Sequence, residues 1–329
     1  MTGFLTTDCS VSIPGGRRRT AFTLVEMIVV MAIIGALAAI LIPTLRAAMV
    51  RAKVTAIAGD LANLDAAISQ FKEKYGDYPP DFSNRQVLVR HVQKAWPRVT
   101  VKEMRIFLAT TLDDPRWRVD RAEALVFWLS GFSEDPLHPF TGSGGPFSGG
   151  ERNQDTAFFP FDNNRLTEST SVLPCTVTLQ GGGTYTFRAR ESTDDKLLYG
   201  NDKINDPFPV CLTRGTNLPI VYIDAHYYRY SSYPEHGVGA VFTGHAHAYL
   251  SERKRLNPKD TDNSGALDPE EVFEFVNPHS YQLIAAGLDE DYGVDDVGFK
   301  QFGTGVNFTP GDLDNITNFS GGTLEDANP

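Results

Sequence analysis

Cysteine is scarce, at three residues in 329. Cys9 falls in an N-terminal stretch with little predicted structure, which leaves Cys175 and Cys211 as one possible pair. Positive charge is also in deficit: 30 Lys and Arg face 41 Asp and Glu, a formal net charge of −11. A general nucleic-acid binder needs a basic face to neutralise phosphates, so no nucleic acid is expected as a partner. An acidic surface suits divalent cations instead. No period of about 20–50 residues repeats, which argues against a solenoid. The glycine-rich stretch GSGGPFSGG, 142–150, lacks the Lys-Ser/Thr ending of a phosphate-binding loop. No nucleophile elbow and no kinase, Rossmann or zincin motif appears either. An enzyme is not expected.

What is present begins with one long apolar run. The composition is ordinary for a globular protein, 22% charged and 41% apolar, and the length predicts two compact units. Yet FTLVEMIVVMAIIGALAAILIP, Phe22 to Pro43, reads as a membrane segment, with nineteen uncharged residues from Met27 to Leu45. That is about the length a bilayer core requires. Glu26 sits at the start of the run, where an ionised carboxylate costs roughly 2.5–3.5 kcal/mol on insertion scales. Such a residue is a functional candidate by default. Arg17, Arg18 and Arg19 precede the run, and a basic cluster on that side predicts an N-terminus held in the cytoplasm. An uncleaved signal anchor is one reading of this pattern.

The segment RRRTAFTLVEMIVVMAIIGALAAILIP resembles the N-terminus of type IV pilins and type II secretion pseudopilins. The resemblance implies cleavage by a prepilin peptidase between Ala21 and Phe22, followed by N-methylation of Phe22. The spacing of Glu26, Gly35 and Pro43 from that cut matches the family pattern, whereas Ala21 stands where the family usually has Gly. It further implies that Glu26 of one subunit meets the new amine of its neighbour in a filament. That amine is positive below a pKa of about 8. Each charge alone in hydrocarbon is costly, and together they neutralise one another. Gly35 and Pro43 mark a stretch that loosens, because Pro removes a helix hydrogen bond and crowds the preceding turn.

Residues 46–75 continue as an amphipathic helix. Val54, Ile57, Leu61, Leu64, Ile68, Phe71 and Tyr75 recur at spacings of three and four. Lys53, Asp60, Lys72 and Lys74 lie off that stripe. GDYPP, Gly76 to Pro80, ends the helix. Beyond it, helical pieces are expected in 85–135, notably Arg121 to Leu129. Strands are expected at Thr184 to Arg188, Leu218 to Ile223 and His226 to Tyr230, forming a short mixed sheet. With the arginines inside, this part faces the periplasm, a compartment that permits disulfides. A Cys175–Cys211 bond would close a loop of about 36 residues, worth roughly 3–4 kcal/mol; two buried thiols are the alternative.

Two stretches carry metal-ligating patterns. DTDNSGALDPEE, Asp260 to Glu271, has the spacing of an EF-hand loop. Asp260, Asp262, Ser264, Asp268 and Glu271 supply side-chain oxygens, Ala266 supplies its carbonyl, and Gly265 makes the sharp turn. Calcium takes six to eight oxygens, which this spacing gathers around one point. A solvated turn is the competing reading, and Pro258 rules out a helix just before the loop. The segments SYQLIAAGLDEDYG (280–293) and GDLDNITNF (311–319) resemble the closing segments of type II secretion major pseudopilins, where calcium ties two loops to the last strand. Carried over, the Leu288 carbonyl and the carboxylates of Asp289, Asp312 and Asp314 would be ligands, with a solvated acidic tail as the alternative. His245 and His247 could share one side of a strand, but no third ligand is evident nearby.

The expectation is therefore an α+β, pilin-like chain: a long N-terminal helix packed on a small antiparallel sheet, with large insertions. Residues 1–21 form a cleaved leader, 22–45 a transmembrane and filament-core helix, and 46–75 an amphipathic helix. Residues 76–329 form a periplasmic head holding the loop at 260–271 and the acidic segment at 286–319. The expected partners are other pilin or pseudopilin subunits, prepilin peptidase, an inner-membrane assembly platform and membrane lipid before assembly. The chain starts as a single-pass inner-membrane protein and ends in a periplasmic or surface filament, with calcium as a structural cofactor. The alternative is a membrane-anchored, calcium-dependent extracytoplasmic binding protein that does not polymerise.

Overall fold

The computed structural model describes residues 23–114, 118–149, 151–193, 198–199, 202–203, 207–230, 232–233, 246–260, 264–293 and 299–327. The chain divides into two units at Val50/Arg51.

The first unit is the apolar start of helix α1 (Leu24–Tyr75). Thr23 begins it, its hydroxyl accepting the Glu26 N–H at 3.2 Å. Helix α1 continues through Gly35 and Pro43, with Pro43 lacking the N–H that would donate to the preceding turn. None of its most apolar stretch is buried, the state expected of a helix meant for lipid or for other helices.

The second unit holds the cores. From Ile57 onward α1 turns one face inward: Ile57, Leu61, Leu64, Ile68 and Phe71 are buried, with Val54 and Tyr75 partly so. The stripe read from the sequence is this face. Gly76 stops the helix with φ +81°, a left-handed conformation that glycine adopts without steric cost. Helices α2 (Arg85–Ala95), α3 (Val101–Leu108) and α4 (Glu123–Leu129) follow. Every residue of α4 is buried. Its Trp128 packs against Phe71, Phe82 and Phe107 and donates from Nε1 to the Pro80 carbonyl at 2.8 Å. Thus the GDYPP break also serves the core.

Strands β1 (Glu168–Thr178) and β2 (Thr184–Ser192) form a separate hairpin. The central sheet joins β3 (Ile220–Asp224), β6 (Tyr281–Ala285) and β7 (Ile316–Thr317), in the order β7-β6-β3, all antiparallel. Between them in sequence lie β4 (Leu250–Lys254), the one-turn helix α5 (Pro269–Val272) and β5 (Phe273–Phe275), which pairs with β4. Alternation splits the central sheet cleanly. Ile220, Tyr222, Tyr281, Leu283 and Ala285 enter the core shared with α1, whereas Val221, Ile223 and Ile284 enter a second core with Tyr249, Phe275 and Tyr292. Being buried on both faces, the sheet reads as continuous apolar runs. The architecture is α+β, with a long N-terminal apolar helix and small antiparallel sheets.

Three expectations change. The sheet ladders are antiparallel, as the resemblance implied, and not mixed as the strand-like runs alone suggested. Ala225–Tyr230 is a 3-10 turn, not a strand, because Asp224 caps it, accepting the His226 backbone N–H at 3.2 Å and lying 2.9 Å from the ring Nδ1. Cys175 and Cys211 are buried and not in a disulfide. Cys211 pairs with Leu166, while Cys175 lies further along the same extended run, opposite Phe187. Allowing for the irregularity between Glu168 and Val172, that offset is still about 20 Å at about 3.3 Å per residue, and a disulfide needs Cα atoms within about 7 Å.

Candidate functional site

Two places gather the residues singled out by the sequence, one in each unit. At the start of α1, Glu26 folds back on its own helix. Its Oε2 accepts the Thr23 N–H and the Thr23 hydroxyl, each at 2.8 Å. With the return bond from the Glu26 N–H this is a reciprocal capping box, which satisfies helix donors that otherwise lack partners. The carboxylate in the apolar run is therefore held by local hydrogen-bond donors that favour its charged form. Thr23 was missed as its partner, although T-x-x-E before an apolar run is a legible signature. Ala21 and Phe22 lie outside the described residues, as does Cys9.

In the second unit the acidic segments at 286–293 and 311–315 come together. Asp314 Oδ2 accepts the Asp289 N–H at 3.1 Å, Asp289 Oδ1 accepts the Asp291 N–H at 3.0 Å, and Asp291 Oδ1 accepts the Gly293 N–H at 2.9 Å. Two glycines make this approach possible. A Cβ on Gly287 would collide with the Asp314 carboxyl, and one on Gly311 would lie 2.5 Å from the Asp291 carboxyl. Burial first, and then the charge of Asp314, push the Asp289 carboxyl up to about 6. Asp314 Oδ1 is buried with no hydrogen-bond partner among the described residues. A carboxyl made costly to ionise by burial and a neighbouring charge, beside a carboxylate with an orphaned oxygen, is the arrangement a hard cation relieves. Leu288 is half-buried and packs against the main core.

Asp312 does not join them. Its side chain is fully buried, with Oδ1 2.7 Å from Lys300 Nζ and 3.1 Å from the Tyr249 hydroxyl. Its Oδ2 accepts the Thr309 N–H at 2.9 Å and the Thr309 hydroxyl at 2.7 Å. Each of its oxygens is thus already held by two donors. Asp291 takes its place in the cluster; the alternation Asp289-x-Asp291 was the available signal. Asp295 and Asp296 lie outside the described residues.

The loop at 260–271 is partly described. Asp260 accepts the N–H groups of Ser264 (3.2 Å) and Gly265 (2.8 Å), and the Ser264 hydroxyl donates to the Ala266 carbonyl at 3.0 Å. Glu271, buried, reaches back to the Asp268 N–H at 3.2 Å as the far half of a capping box on α5. A strand precedes this loop and a single helical turn follows it, so the flanking helices of an EF-hand are absent here. Asp262 lies outside the described residues, as does His245. Among the described residues no three His, Cys, Asp or Glu side chains stand as a ready-made metal cage.

Residues 16–42 match the model of the prokaryotic N-terminal methylation motif. The chain is also similar to the type II secretion system core protein G of Pseudomonas aeruginosa, 35% identical over 74 residues, which are 22% of this chain and 52% of that protein. The chain thus spans about half the length of the curated relative it matches. No solved structure matches it. The motif and the relative together support a pseudopilin or type IV pilin-like protein.

Proposed function

We propose that the chain is a structural, non-enzymatic subunit of a type II secretion or type IV pilus-like filament. The observation that carries this reading is the methylation motif at 16–42 joined to a helix whose most apolar stretch is unburied, with one carboxylate at its start. In this reading prepilin peptidase cuts before Phe22. The first unit waits in the inner membrane with its N-terminus in the cytoplasm and the second unit in the periplasm. An assembly platform then transfers it to other subunits. Glu26 exchanges Thr23 donors for the amine of a neighbour, so two charges that are costly apart leave hydrocarbon together. N-terminal sequencing of the membrane-purified chain is expected to return N-methylated Phe22. Glu26→Ala is expected to leave monomer levels unchanged and abolish filaments; filaments from Glu26→Ala would overturn the reading.

Calcium is proposed as a structural ligand of the second unit, held by Asp289, Asp291 and Asp314, and supported by the orphaned Asp314 Oδ1. Bound only to the folded form, it stabilises by RT ln(1 + [L]/Kd). The loop at 260–271 is the second proposed calcium loop. A thermal unfolding midpoint that rises with calcium in the native chain and not in Asp314→Ala supports the first site. Should the native chain form no filaments while calcium binding persists, it would instead be an anchored calcium-dependent binding protein that does not polymerise.

A further inference from the structure

Lys300 and Asp312 form an ion pair whose two side chains have no solvent exposure at all. The site is walled by Tyr249, Tyr292 and Asn315, each fully buried. Burying two full charges costs several kcal/mol per ion before their attraction is counted. A neutral linkage between the same atoms would remove that cost.

The surroundings are arranged as such a linkage requires. Lys300 Nζ lies 2.7 Å from Asp312 Oδ1, and the Tyr249 hydroxyl also donates to Oδ1 at 3.1 Å. The other carboxyl oxygen, Oδ2, rests between the Thr309 N–H at 2.9 Å and the Thr309 hydroxyl at 2.7 Å. Two fixed donors on one oxygen form a cradle for negative charge that develops there in a tetrahedral intermediate. A nucleophile held against the carboxyl by folding makes the encounter intramolecular. Exclusion of water removes the reagent that would reverse the reaction.

We propose that Lys300 and Asp312 condense into a side-chain amide within the folded second unit. Nζ attacks Cγ; the Nζ–Cγ bond forms and the Cγ–Oδ1 bond breaks. Of the three protons on the ammonium, one stays as the amide N–H and two leave with Oδ1 as water, passed by way of the Tyr249 hydroxyl. Thr309 holds the charge on Oδ2 until the carbonyl re-forms. Atoms and charge balance with no further reactant. The product is a covalent ring over 300–312 that ties the segment at Lys300 to the turn carrying Asp314.

The sequence supplies a direct test, because Lys300 is the sole lysine or arginine between Asp260 and Pro329. The full-length protein, purified from membranes in detergent, is denatured, digested with trypsin and mapped by mass spectrometry. The amide blocks cleavage after Lys300, so the expected product is one 260–329 peptide lighter than its sequence by one water. Fragmentation should place the loss across Lys300 and Asp312. Lys300→Arg, digested alongside, should yield separate 260–300 and 301–329 peptides. Those two peptides from the native chain, or an uncut 260–329 peptide at full sequence mass, would overturn the proposal, as would a water loss mapped elsewhere.

Discussion

Acid should destabilise the second unit through one buried imidazole. His91 on α2 is 4% exposed and stacks on Phe71, with ring centroids 5.6 Å apart and planes at 10°. The edge of Trp128 lies 5.2 Å away, and the ring Nε2 is buried without a hydrogen-bond partner among the described residues. Burial first holds its pKa down to about 4 from 6.5; Asp77 pulls it up and Lys94 pulls it down by smaller amounts. A base whose folded pKa is depressed binds fewer protons folded than unfolded. Its contribution is therefore intact above pH 6.5 and lost as pH falls through the window from 6.5 to about 4. At about 1.4 kcal/mol per unit, moving from pH 7 to about pH 4.5 costs roughly 2.5 kcal/mol from this group alone. Urea unfolding of a fragment starting at Arg51, followed by tryptophan fluorescence at both pH values, measures the loss. Other groups titrate too, so His91→Phe is the comparison. The substituted fragment is expected to lose about 2.5 kcal/mol less than the native one over the same interval. Equal losses in the two fragments would refute the argument.

Three further outcomes follow from the geometry. Asp60→Ala leaves Arg165 and Arg214 without their carboxylate, and the urea midpoint should fall by an amount equivalent to about 3 kcal/mol, the low end for a broken buried pair, because Arg214 is half exposed. Cys175 and Cys211 should resist alkylation in the native protein, since burial pushes the Cys211 thiol up to about 11 and both are enclosed. After denaturation without reductant both should be alkylated, and protection of the two would restore the disulfide. Gly287→Ala drives a methyl group into the Asp314 carboxyl, so calcium should no longer raise the thermal midpoint, while Gly59→Ala, which meets nothing within 4 Å in the second unit, should retain the full calcium shift.

What the sequence revealed was periodic or local. The α1 stripe was legible because three-and-four spacing is a property of neighbouring residues, and the break at Gly76 because left-handed backbone favours glycine. The capping Thr23 obeys an equally local rule. What stayed hidden depended on distant partners. Asp60 lies off the stripe and reads as a solvated charge, yet it is buried against arginines 105 and 154 residues away. Asp312 and Asp314 stand two apart in one acidic segment. Only the fold assigns one to Lys300 and leaves the other with an unpartnered oxygen. His226 to Tyr230 has strand-like composition, but the Asp224 side chain competes for the backbone and wins.

The Asp60 pairing has a mechanical consequence. Arg165 reaches Asp60 Oδ2 at 2.8 Å while its Nε holds the Leu212 carbonyl at 2.9 Å, and Arg214 grips both carboxylate oxygens, at 3.0 and 2.9 Å. A pull along α1 is thus resisted in shear by directional bonds as well as by apolar contact, which slides more readily. The segment around 165–214 works as a rivet plate on the rod: shortening it, or replacing either arginine, should lower the force at which the rod strips from its housing.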